Sequence, residues 1–563
     1  MEFKIYSSLA KVFPQGTLSP AAENMQLTVL RGETVSFQAA YIRHEADICE
    51  WAVLHIKASP QMDINVRRVR CAPGYLPANF KTDDGYLESE SGIYPDLLEP
   101  FAETSETGGY RMPLTSGLWQ SCWVDVCASL SAKEGDYPVA VSIEKSTGEL
   151  LAKAEILVKV IPKELPPLDI FHTRWFHTDC LADYYDVEVF SERYWEIVEN
   201  FAEFAALHGV NTLLTPIHTP PLDTEVGGER LTVQLIDVST TDSEPENAKY
   251  TFNFDKLKRW VQMCKKIGIK HYEMAHLFTQ WGAKHAPKIM GTKNGKYTRL
   301  FGWETNGASK EYANYLKQML PALTEKLEEL GIADKTIFHI SDEPDEEHLE
   351  IYSAAQNLVR PLLKGYKIVD ALTNYEFYKR GAVSTPIPAV NHIEPFLEGN
   401  VTGLWCYFCC SQSYKVPNHF FMQPSYRSRI LGVLLYKYNI AGFLHWGYNF
   451  YNSVHSVYPI DPFRVTDADG AFPSGDAFVV YPGKDGKPLA SLRLMVIREA
   501  FNDYRALKLL ETSGGRDTVL SMIEYGLSEP LTFSCFPQNE EYILELRKRV
   551  NMALLHGGIK NDM

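Results

Sequence analysis

The chain has 563 residues, of which 45% are hydrophobic and 22% are charged. This composition is typical of a globular protein and excludes a disordered chain, and the length predicts more than one domain. Acidic residues outnumber basic residues by 71 to 55, which gives a formal net charge of −16. Because such a chain repels phosphate backbones and contains no run of Lys and Arg, nucleic-acid binding is disfavoured.

The beginning of the chain contains no apolar segment of signal-peptide length, and no apolar run approaches the roughly 20 residues that span a bilayer. The sequence therefore predicts a cytoplasmic protein that does not bind membranes. Its ten cysteines are scattered, which is typical of reduced thiols rather than of a disulfide framework. Aromatic residues make up 12% of the chain, and many follow predicted strands, where they would suit a sugar-binding cleft.

Short alternating segments without helical periodicity fill the first part of the chain, up to about Pro167. They include residues 27–30, 34–41, 52–56, 120–127, 135–143 and 154–161. The last two predict a hairpin that turns at 145–148. This pattern predicts an antiparallel β-sandwich over residues 1–167. The successive prolines in 165–168 then stop strand pairing and mark a linker.

From residue 168 onward the pattern changes to strand, loop and helix. The predicted strands are 170–177, 210–215, 269–276, 335–341, 367–372, a weaker one near Pro388, 401–407 and 442–447. The main predicted helices are 194–208, 254–267, 310–330 and 426–438. Repeated units of this kind predict a parallel sheet covered by helices. A closed (β/α)₈ barrel fits better than a doubly wound sheet, because no Gly-rich loop follows the first strand.

The C-terminal segment 492–556 is rich in helical pattern, and we expect it to pack on the barrel as an extension. The predicted organisation is therefore a sandwich domain over 1–167 and a catalytic barrel with a helical C-terminal extension over 168–563. The sequence does not predict the oligomeric state.

The strongest candidate for chemistry is the Asp342–Glu343 pair, which follows the fourth predicted barrel strand. Active groups of such barrels lie at the C-terminal ends of the strands. Adjacent carboxylates are costly when both are buried and charged, so they are either functional or helix N-terminal acids, since more acidic residues follow at 345–347. We favour the functional interpretation because Pro344 is expected to hold the chain extended, with both side chains at the barrel mouth.

Polar and aromatic residues at the other strand ends are compatible with a sugar ligand, although each alone is more often a packing residue. The candidate substrate-binding residues are Trp175, His177, Thr215, His276, Trp281, Asn374, Tyr375, Tyr407, Trp446, Tyr448 and Asn449. The same strand ends also carry Asp179, His218, Gln280, Trp405 and His445.

Metal and cofactor sites are disfavoured. The four histidines that could suggest a metal are His172, His177, His271 and His276. Within each pair the spacing of five places the two rings on opposite faces of a strand. The three cysteines in 406–410 lack a second pair of ligands, so buried thiols are the better interpretation. Because no nucleophile elbow, phosphate loop or His-Glu-x-x-His motif occurs either, we predict no metal and no cofactor.

Several segments, in order along nearly the whole chain, resemble glycoside hydrolase family 123 and its related proteins. They are 94–98, 175–182, 339–344 (His-Ile-Ser-Asp-Glu-Pro), 445–451, 475–483 and 491–504. The resemblance implies an N-terminal β-sandwich, a (β/α)₈ barrel and exo-acting β-N-acetylgalactosaminidase activity on glycans such as those of glycosphingolipids. It also implies an adjacent Asp-Glu pair as the catalytic machinery, which maps onto Asp342 and Glu343.

The mechanism can be derived from the position of the pair. Two residues at one strand end approach a sugar from the same side, whereas a protein nucleophile needs two carboxylates about 5 Å apart on opposite sides of the anomeric carbon. The pair suits substrate assistance, in which the sugar's 2-acetamido oxygen attacks and forms an oxazolinium-like intermediate. Ionised Asp342 would orient the acetamido group, and Glu343 would act first as acid and then as base.

The β configuration would be retained without a cofactor. From position alone, Trp446 is expected to form an aromatic floor and Tyr407 to donate a hydrogen bond to the acetamido oxygen. Two alternatives remain open at this point. One is a β-N-acetylglucosaminidase or another β-hexosaminidase, because one or two hydrogen bonds distinguish axial from equatorial O4. The other is a glycan-binding protein without activity. In each case the partner is a glycan with a terminal N-acetylhexosamine.

Overall fold

The chain divides into two units whose segments alternate along the sequence. The first comprises Met1–Leu168, Ser413–Tyr438 and Leu489–Met563, and the second Asp169–Gln412 and Asn439–Pro488. The computed structural model describes residues 1–16, 18, 25–44, 50–102, 104–105, 108–241 and 245–557. Among these residues, no helix combines the length and apolar character that a membrane crossing requires.

The first unit contains the predicted sandwich. One sheet orders its strands as Glu2–Ser7, Thr34–Ile42, Gln120–Ala128, Met62–Gly74, Gly92–Pro100 and Pro488–Ser491. The other orders them as Gln26–Arg31, Leu150–Glu164, Gly135–Lys145, Glu50–Lys57 and Tyr110–Leu114. Side chains from both sheets, such as Phe37, Val124, Leu54 and Val141, form one buried core. The alternating segments of the sequence therefore fold as predicted, with apolar positions facing inward.

The predicted hairpin is present between Gly135–Lys145 and Leu150–Glu164, and Gly148 adopts the positive φ that its turn requires. One strand pair departs from the antiparallel expectation, since Gln26–Arg31 runs parallel to Leu150–Glu164 at the sheet edge. These two strands are far apart in sequence, so no hairpin connection forces them to be antiparallel.

The second unit contains the barrel. Its eight parallel strands are, in chain order, Phe171–Arg174, Thr212–Thr215, His271–Met274, Thr336–Phe338, Lys367–Ala371, Thr385–Ile387, Trp405–Tyr407 and Gly442–His445. Neighbours in this order are paired, and the first strand pairs with the eighth. The sixth and seventh strands are joined by a single bridge between Ala389 and Tyr407. The predicted (β/α)₈ barrel is confirmed as a nearly closed ring of eight strands.

The other elements of the second unit surround this sheet. Its helices are Thr178–Tyr185, Glu192–Leu207, Asp255–Ile267, Lys310–Glu329, Leu349–Val359, Tyr375–Lys379 and Glu394–Glu398. A small sheet contains Thr251–Asn253, Asp237–Thr240, Ile289–Lys293 and Lys296–Phe301, and a further strand is Val480–Pro482. Short 3₁₀ turns occur at Pro245–Asn247, Ala333–Lys335, Glu346–His348 and Val454–Ser456.

Local signals fix the ends of the barrel helices. Ser191 and Ser309 each cap a helix, since their side chains accept the N–H groups of Tyr194 and Tyr312. Gly268 ends the helix Asp255–Ile267 in a left-handed conformation. These caps explain why the observed helix bounds lie within two residues of the predicted ones.

The division of the chain differs from the predicted one in its C-terminal part. The helices Tyr426–Lys437, Leu492–Gly514, Arg516–Glu524 and Glu540–Leu555 belong to the first unit, whereas the prediction placed residues 168–563 with the barrel. The first two of these helices cross so closely that a Cβ at Gly432 would lie 1.8 Å from the carbonyl oxygen of Ala500. Chain order alone suggested a barrel extension, but this packing groups the segments with the sandwich.

A buried ion pair ties the helix Leu492–Gly514 to the sandwich. Arg493 Nε and Nη2 donate to the two carboxylate oxygens of Asp96 at 2.8 and 2.9 Å, and both side chains are almost fully buried. Such a bidentate pair fixes geometry, and removing one partner leaves an uncompensated buried charge.

We predict that Asp96→Asn lowers the free energy of unfolding by roughly 3–5 kcal/mol, because the guanidinium of Arg493 keeps its charge without a counterion. Guanidinium-induced unfolding measures the change. The matched control is Glu99→Gln on the same strand, where the contacts with Arg68 and Arg70 are 3.9 Å long and partly exposed. It should cost under about 1 kcal/mol. Equal effects of the two substitutions would contradict the assignment.

Candidate active site

A pocket of about 180 Å³ opens at the C-terminal ends of the barrel strands. Most of its wall comes from the residues that follow seven of the eight strands. They are Trp175, Leu222, Asp223, Gln280, Trp281, Asp342, Glu343, Ala371, Tyr407, Cys409, Cys410, Leu444, Trp446 and Phe472. The volume is below the 300–1,000 Å³ typical of ligand pockets, so it suits one small ring rather than a chain of them.

Asp342 and Glu343 lie side by side in this wall, and backbone hydrogen bonds to both neighbouring strand ends hold them. The Trp281 N–H donates to the Asp342 carbonyl at 2.7 Å, and the Glu343 N–H donates to the Ala371 carbonyl at 3.0 Å. Glu343 has a φ of +42°, so the expectation of an extended chain before Pro344 is wrong. The left-handed conformation is costly for a residue with a side chain, and these two hydrogen bonds help to maintain it.

Burial raises the pKa of both carboxyl groups of the pair. It raises the pKa of Asp342 well above its usual range, and the neighbouring Glu343 carboxylate raises it further. Burial also raises the pKa of Glu343, although the hydroxyl of Tyr407, which donates to Glu343 Oε1 at 2.5 Å, works against the rise. Both groups therefore resist ionisation, and a charge on Glu343 makes Asp342 harder to ionise.

A buried cation, the side chain of His339, lies three residues before Asp342 in the chain. His339 Nε2 is 2.7 Å from Glu273 Oε1, and His339 Nδ1 is 3.4 Å from Asp370 Oδ1, with all three side chains fully buried. Burial lowers the pKa of His339, but the contacts with Asp370 and Glu273 outweigh that effect and raise the pKa to about 9. The resulting imidazolium lowers the pKa of Asp342, whereas the carboxylates of Asp370 and Glu273 and the burial of Asp342 raise it.

The two carboxylates beside His339 also hold the site together. Asp370 Oδ1 accepts the N–H of Ile340 at 2.9 Å, and Asp370 Oδ2 accepts the Tyr352 hydroxyl at 2.5 Å. Glu273 Oε1 accepts the indole N–H of Trp175 at 2.9 Å. The third, fourth and fifth strands and the first strand are therefore connected beneath the pocket by one set of charge-assisted hydrogen bonds.

Three tryptophans form aromatic walls. Trp175 is held by Glu273, and Trp446 donates its indole N–H to Asp476 Oδ2 at 2.9 Å. Trp281 is 38% exposed and has a φ of +58°, an unusual conformation for a bulky residue. A partly exposed ring with a strained backbone at a pocket mouth is typical of a residue retained for ligand contact.

Of the predicted site residues, the structure brings six together at this pocket. These are Asp342, Glu343, Trp175, Trp281, Tyr407 and Trp446. The Tyr407 hydroxyl binds Glu343, so its predicted contact with an acetamido oxygen would require that hydroxyl to turn.

The remaining predicted binding residues do not line the pocket. His177 and Asn449 bind each other, with the His177 N–H donating to Asn449 Oδ1 at 3.0 Å. The Tyr448 hydroxyl donates to Phe201, and the Thr215 hydroxyl to Leu213.

The other three of these residues also have structural surroundings. Asn374 caps the helix Tyr375–Lys379, and Tyr375 packs against Phe396. His276 is buried against His339, with 4.3 Å between ring centroids, and burial lowers its pKa well below the usual value. These residues follow strands as predicted, but their side chains turn into the protein.

The sequence interpretation missed several pocket residues. Asp223 lies in a long segment after the second strand that has no periodicity, so nothing in the pattern distinguished it. Cys409 and Cys410 were interpreted as buried thiols, and Phe472 lies beyond the last strand. Positive φ values at Asp223 (+39°) and His455 (+58°) show that the loops near this wall are held in unusual conformations.

Comparison with known proteins gives a consistent picture. The family model described as "Glycoside hydrolase 123, catalytic domain" matches residues 175–510. A solved family 123 glycoside hydrolase from Clostridium perfringens, described in terms of glycolipid glycan hydrolysis, superposes with a TM-score of 0.72. The alignment covers 99% of this chain and 97% of that one, and the sequences are 14% identical, so this likeness concerns the fold.

Two weaker similarities carry no functional argument. Alkaline/neutral invertase C, mitochondrial, of Arabidopsis thaliana is 27% identical over 142 residues, which are 24% of this chain and 21% of that protein. The chain thus spans about a fifth of the length of this curated relative. A β-glucuronidase of Parabacteroides merdae has a TM-score of 0.31 and 10% identity, over 83% of this chain and 50% of that one. By the match of the family model over more than half of its length, the chain belongs to glycoside hydrolase family 123.

Proposed function

We propose that this protein is a retaining, exo-acting β-N-acetylgalactosaminidase that uses the substrate's own acetamido group as the nucleophile. The observation that carries the proposal is the adjacent pair Asp342–Glu343, which lines one small pocket and has both carboxyl pKa values raised. Family membership supports the reaction class, and the glycolipid glycan hydrolysis described for the Clostridium perfringens enzyme supports glycolipid glycans as the substrate class.

The position of the pair favours substrate assistance over a protein nucleophile. Both carboxyl groups belong to one strand end, so they reach a sugar from the same side. Attack by the 2-acetamido oxygen needs no carboxylate on the opposite face of the anomeric carbon. The protein has only to orient the acetamido group and move one proton. The small pocket volume agrees with an enzyme that accepts a single terminal sugar.

Tyr407 provides a means of placing the proton on the correct carboxyl group. Its hydrogen bond to Glu343 stabilises the ionised form of that residue. When a substrate binds, the hydroxyl would turn to the acetamido oxygen, and the pKa of Glu343 would rise further. A proton would then reside on Glu343, ready for the glycosidic oxygen, while the His339 imidazolium would offset part of the rise in the pKa of Asp342.

The remaining steps follow from this arrangement. Asp342 would accept the acetamido N–H and offset the positive charge that develops as the oxazolinium ring closes. The bond between the anomeric carbon and the leaving oxygen breaks as Glu343 protonates that oxygen. Glu343, now ionised, would deprotonate the water that opens the ring, so the product keeps the β configuration.

We predict that Glu343→Gln and Asp342→Asn each lower kcat by about 10²- to 10⁴-fold on a chromogenic N-acetyl-β-galactosaminide, because each removes a proton-transfer or orienting group. The control is Glu346→Gln, an exposed glutamate three residues after Glu343, which should keep full activity. Circular dichroism checks that each variant is folded. Near-normal turnover in either pocket variant would contradict the assignment.

A panel of chromogenic glycosides tests the substrate, with the configuration of the first product followed by proton NMR. We expect the β-galactosaminide to be cleaved fastest and the product to be the β-anomer. If the N-acetyl-β-glucosaminide were cleaved faster, the proposed substrate would be a β-N-acetylglucosaminide instead. An α-anomeric first product would refute the mechanism. Absence of cleavage across the panel, with sugar binding retained, would favour a glycan-binding protein.

We also predict that Asp342→Asn stabilises the protein at pH 7.5 while it inactivates the enzyme. The raised pKa means that the folded state binds a proton more tightly than the unfolded chain, so the stability present at low pH is lost as the pH rises through the folded-state pKa. Asparagine avoids that loss, and the gain should be roughly 1 kcal/mol or more at pH 7.5. It should shrink as the pH falls and vanish below about pH 3, where aspartate is protonated in both states. Thermal unfolding at several pH values measures the gain, and a loss of stability at pH 7.5 would contradict the prediction.

A further inference from the structure

The side chain of Gln280 is a buried hydrogen-bond donor in the pocket wall. Gln280 follows the third barrel strand and is only 5% exposed. Its Oε1 accepts the backbone N–H of Asp223 at 2.6 Å, and this contact decides which way the amide faces. The amide nitrogen therefore cannot exchange places with the oxygen without losing a hydrogen bond.

Among the described residues, no acceptor lies within hydrogen-bond distance of Gln280 Nε2. Buried amide donors without a partner are rare and costly in folded proteins. Here the donor belongs to a residue that lines the candidate active site, so an acceptor on a bound ligand would satisfy it.

Asp223 places an acceptor in the same part of the wall. Its Oδ2 accepts the backbone N–H of His455 at 2.9 Å, while its Oδ1 lies 3.9 Å from His455 Nδ1, beyond hydrogen-bond distance. The Ser456 hydroxyl donates to the Asp223 carbonyl at 2.6 Å, which braces a backbone with a φ of +39°. A donor and an acceptor side by side match a pair of sugar hydroxyls, which donate and accept at once.

The order of residues around the pocket indicates which hydroxyls these are. The Glu343 carboxylate accepts the Tyr407 hydroxyl, and its backbone N–H donates to the fifth strand, whereas the backbone carbonyl of Asp342 accepts the Trp281 N–H from the third-strand loop. If Glu343 serves the glycosidic oxygen at C1 and Asp342 the acetamido group at C2, the next groups along this side are Gln280 and then Asp223. The next positions along the sugar ring are C3 and C4.

We infer that Gln280 and Asp223 bind the O3 and O4 hydroxyls of the terminal sugar, with Gln280 Nε2 as the donor and the Asp223 carboxylate as the acceptor. This inference rests on the proposed function for the orientation of the ring and extends it to the choice of sugar. O4 is the atom at which galactose and glucose configurations differ. These two side chains therefore determine which N-acetylhexosamine is accepted, and they take no part in the proton transfers.

The test combines side-chain variants with substrates that lack single hydroxyls. The variants are Asp223→Asn and Gln280→Met, and the exposed Asp237→Asn of the same unit is the matched control. The substrates are a chromogenic N-acetyl-β-galactosaminide and its 3-deoxy, 4-deoxy and 6-deoxy analogues. The wild-type enzyme should lose roughly 10- to 100-fold in kcat/KM on the 3-deoxy and 4-deoxy substrates.

On the parent substrate, the kcat/KM of each pocket variant should fall by a similar factor. For these variants, the 3-deoxy or 4-deoxy substrate should lower kcat/KM little further. The pH profile of kcat should stay that of the wild type, since the proton-transfer groups are unchanged. The control should behave as wild type throughout. The inference would be overturned if the loss from a substitution and the loss from a missing 3- or 4-hydroxyl multiplied, as they do for independent groups, or if only the 6-hydroxyl showed such a dependence. Partial misfolding does not affect the test, because each variant is judged by the ratio of its kcat/KM values on two substrates.

Calorimetric binding of free N-acetylgalactosamine and its 4-deoxy analogue separates this inference from the proposed function. If the wild-type protein cleaves none of the substrates, but the effects of the substitutions on sugar binding depend on the 4-hydroxyl, the inference stands and the proposed activity is refuted. A wild-type protein that cleaves the parent substrate, with variants that bind and cleave both sugars like wild type, would retain the activity and refute the inference. Neither cleavage nor binding by the wild type would refute both.

Discussion

Two partly buried carboxyl groups next to each other at the end of one strand are the constraint on which this site depends. Burial raises the pKa of Asp342 and of Glu343, so both cannot easily ionise together. A fold that only needed stability would replace one of them by a neutral residue. The barrel instead surrounds the pair with hydrogen bonds and charged groups that hold its position and act differently on its two members.

These features come from different strands. Asp370 on the fifth strand holds the backbone before the pair, and Glu273 on the third strand holds His339. The His339 cation acts on Asp342, and the Tyr407 hydroxyl on the seventh strand acts on Glu343. Each carboxyl group thus has a different polar neighbour, and the proposed mechanism assigns the two acids separate roles on that basis.

Much of this architecture was predictable because it follows from periodicity. Alternating segments predicted the sandwich, and repeated strand–helix units predicted eight barrel strands. The rule that active groups follow barrel strands then pointed to Asp342 and Glu343, which line the pocket. The same rule also selected residues that do not line it, since a residue after a strand can turn inward, as His177 and Thr215 do. Neither residue differs in sequence pattern from a pocket residue such as Trp281.

Other features could not be predicted because they depend on tertiary packing. The partners of His339 lie on neighbouring strands, and their contact depends on strand register, which no local pattern encodes. Asp223 lies in a segment without periodicity. The helix Tyr426–Lys437 is buried along residues 427–436, and it crosses the helix Leu492–Gly514 of the first unit closely at Gly432, which no local pattern encodes.

The central claim is that the oxygen of the substrate's acetamido group attacks the anomeric carbon. A series of chromogenic substrates that carry acetyl, fluoroacetyl, difluoroacetyl and trifluoroacetyl groups on the 2-amino nitrogen tests it most directly. Each fluorine withdraws electrons from the carbonyl oxygen and weakens it as a nucleophile, while the shape of the group changes little. The account predicts a steep fall in kcat/KM with each added fluorine, and rates that stay nearly constant along the series would contradict it.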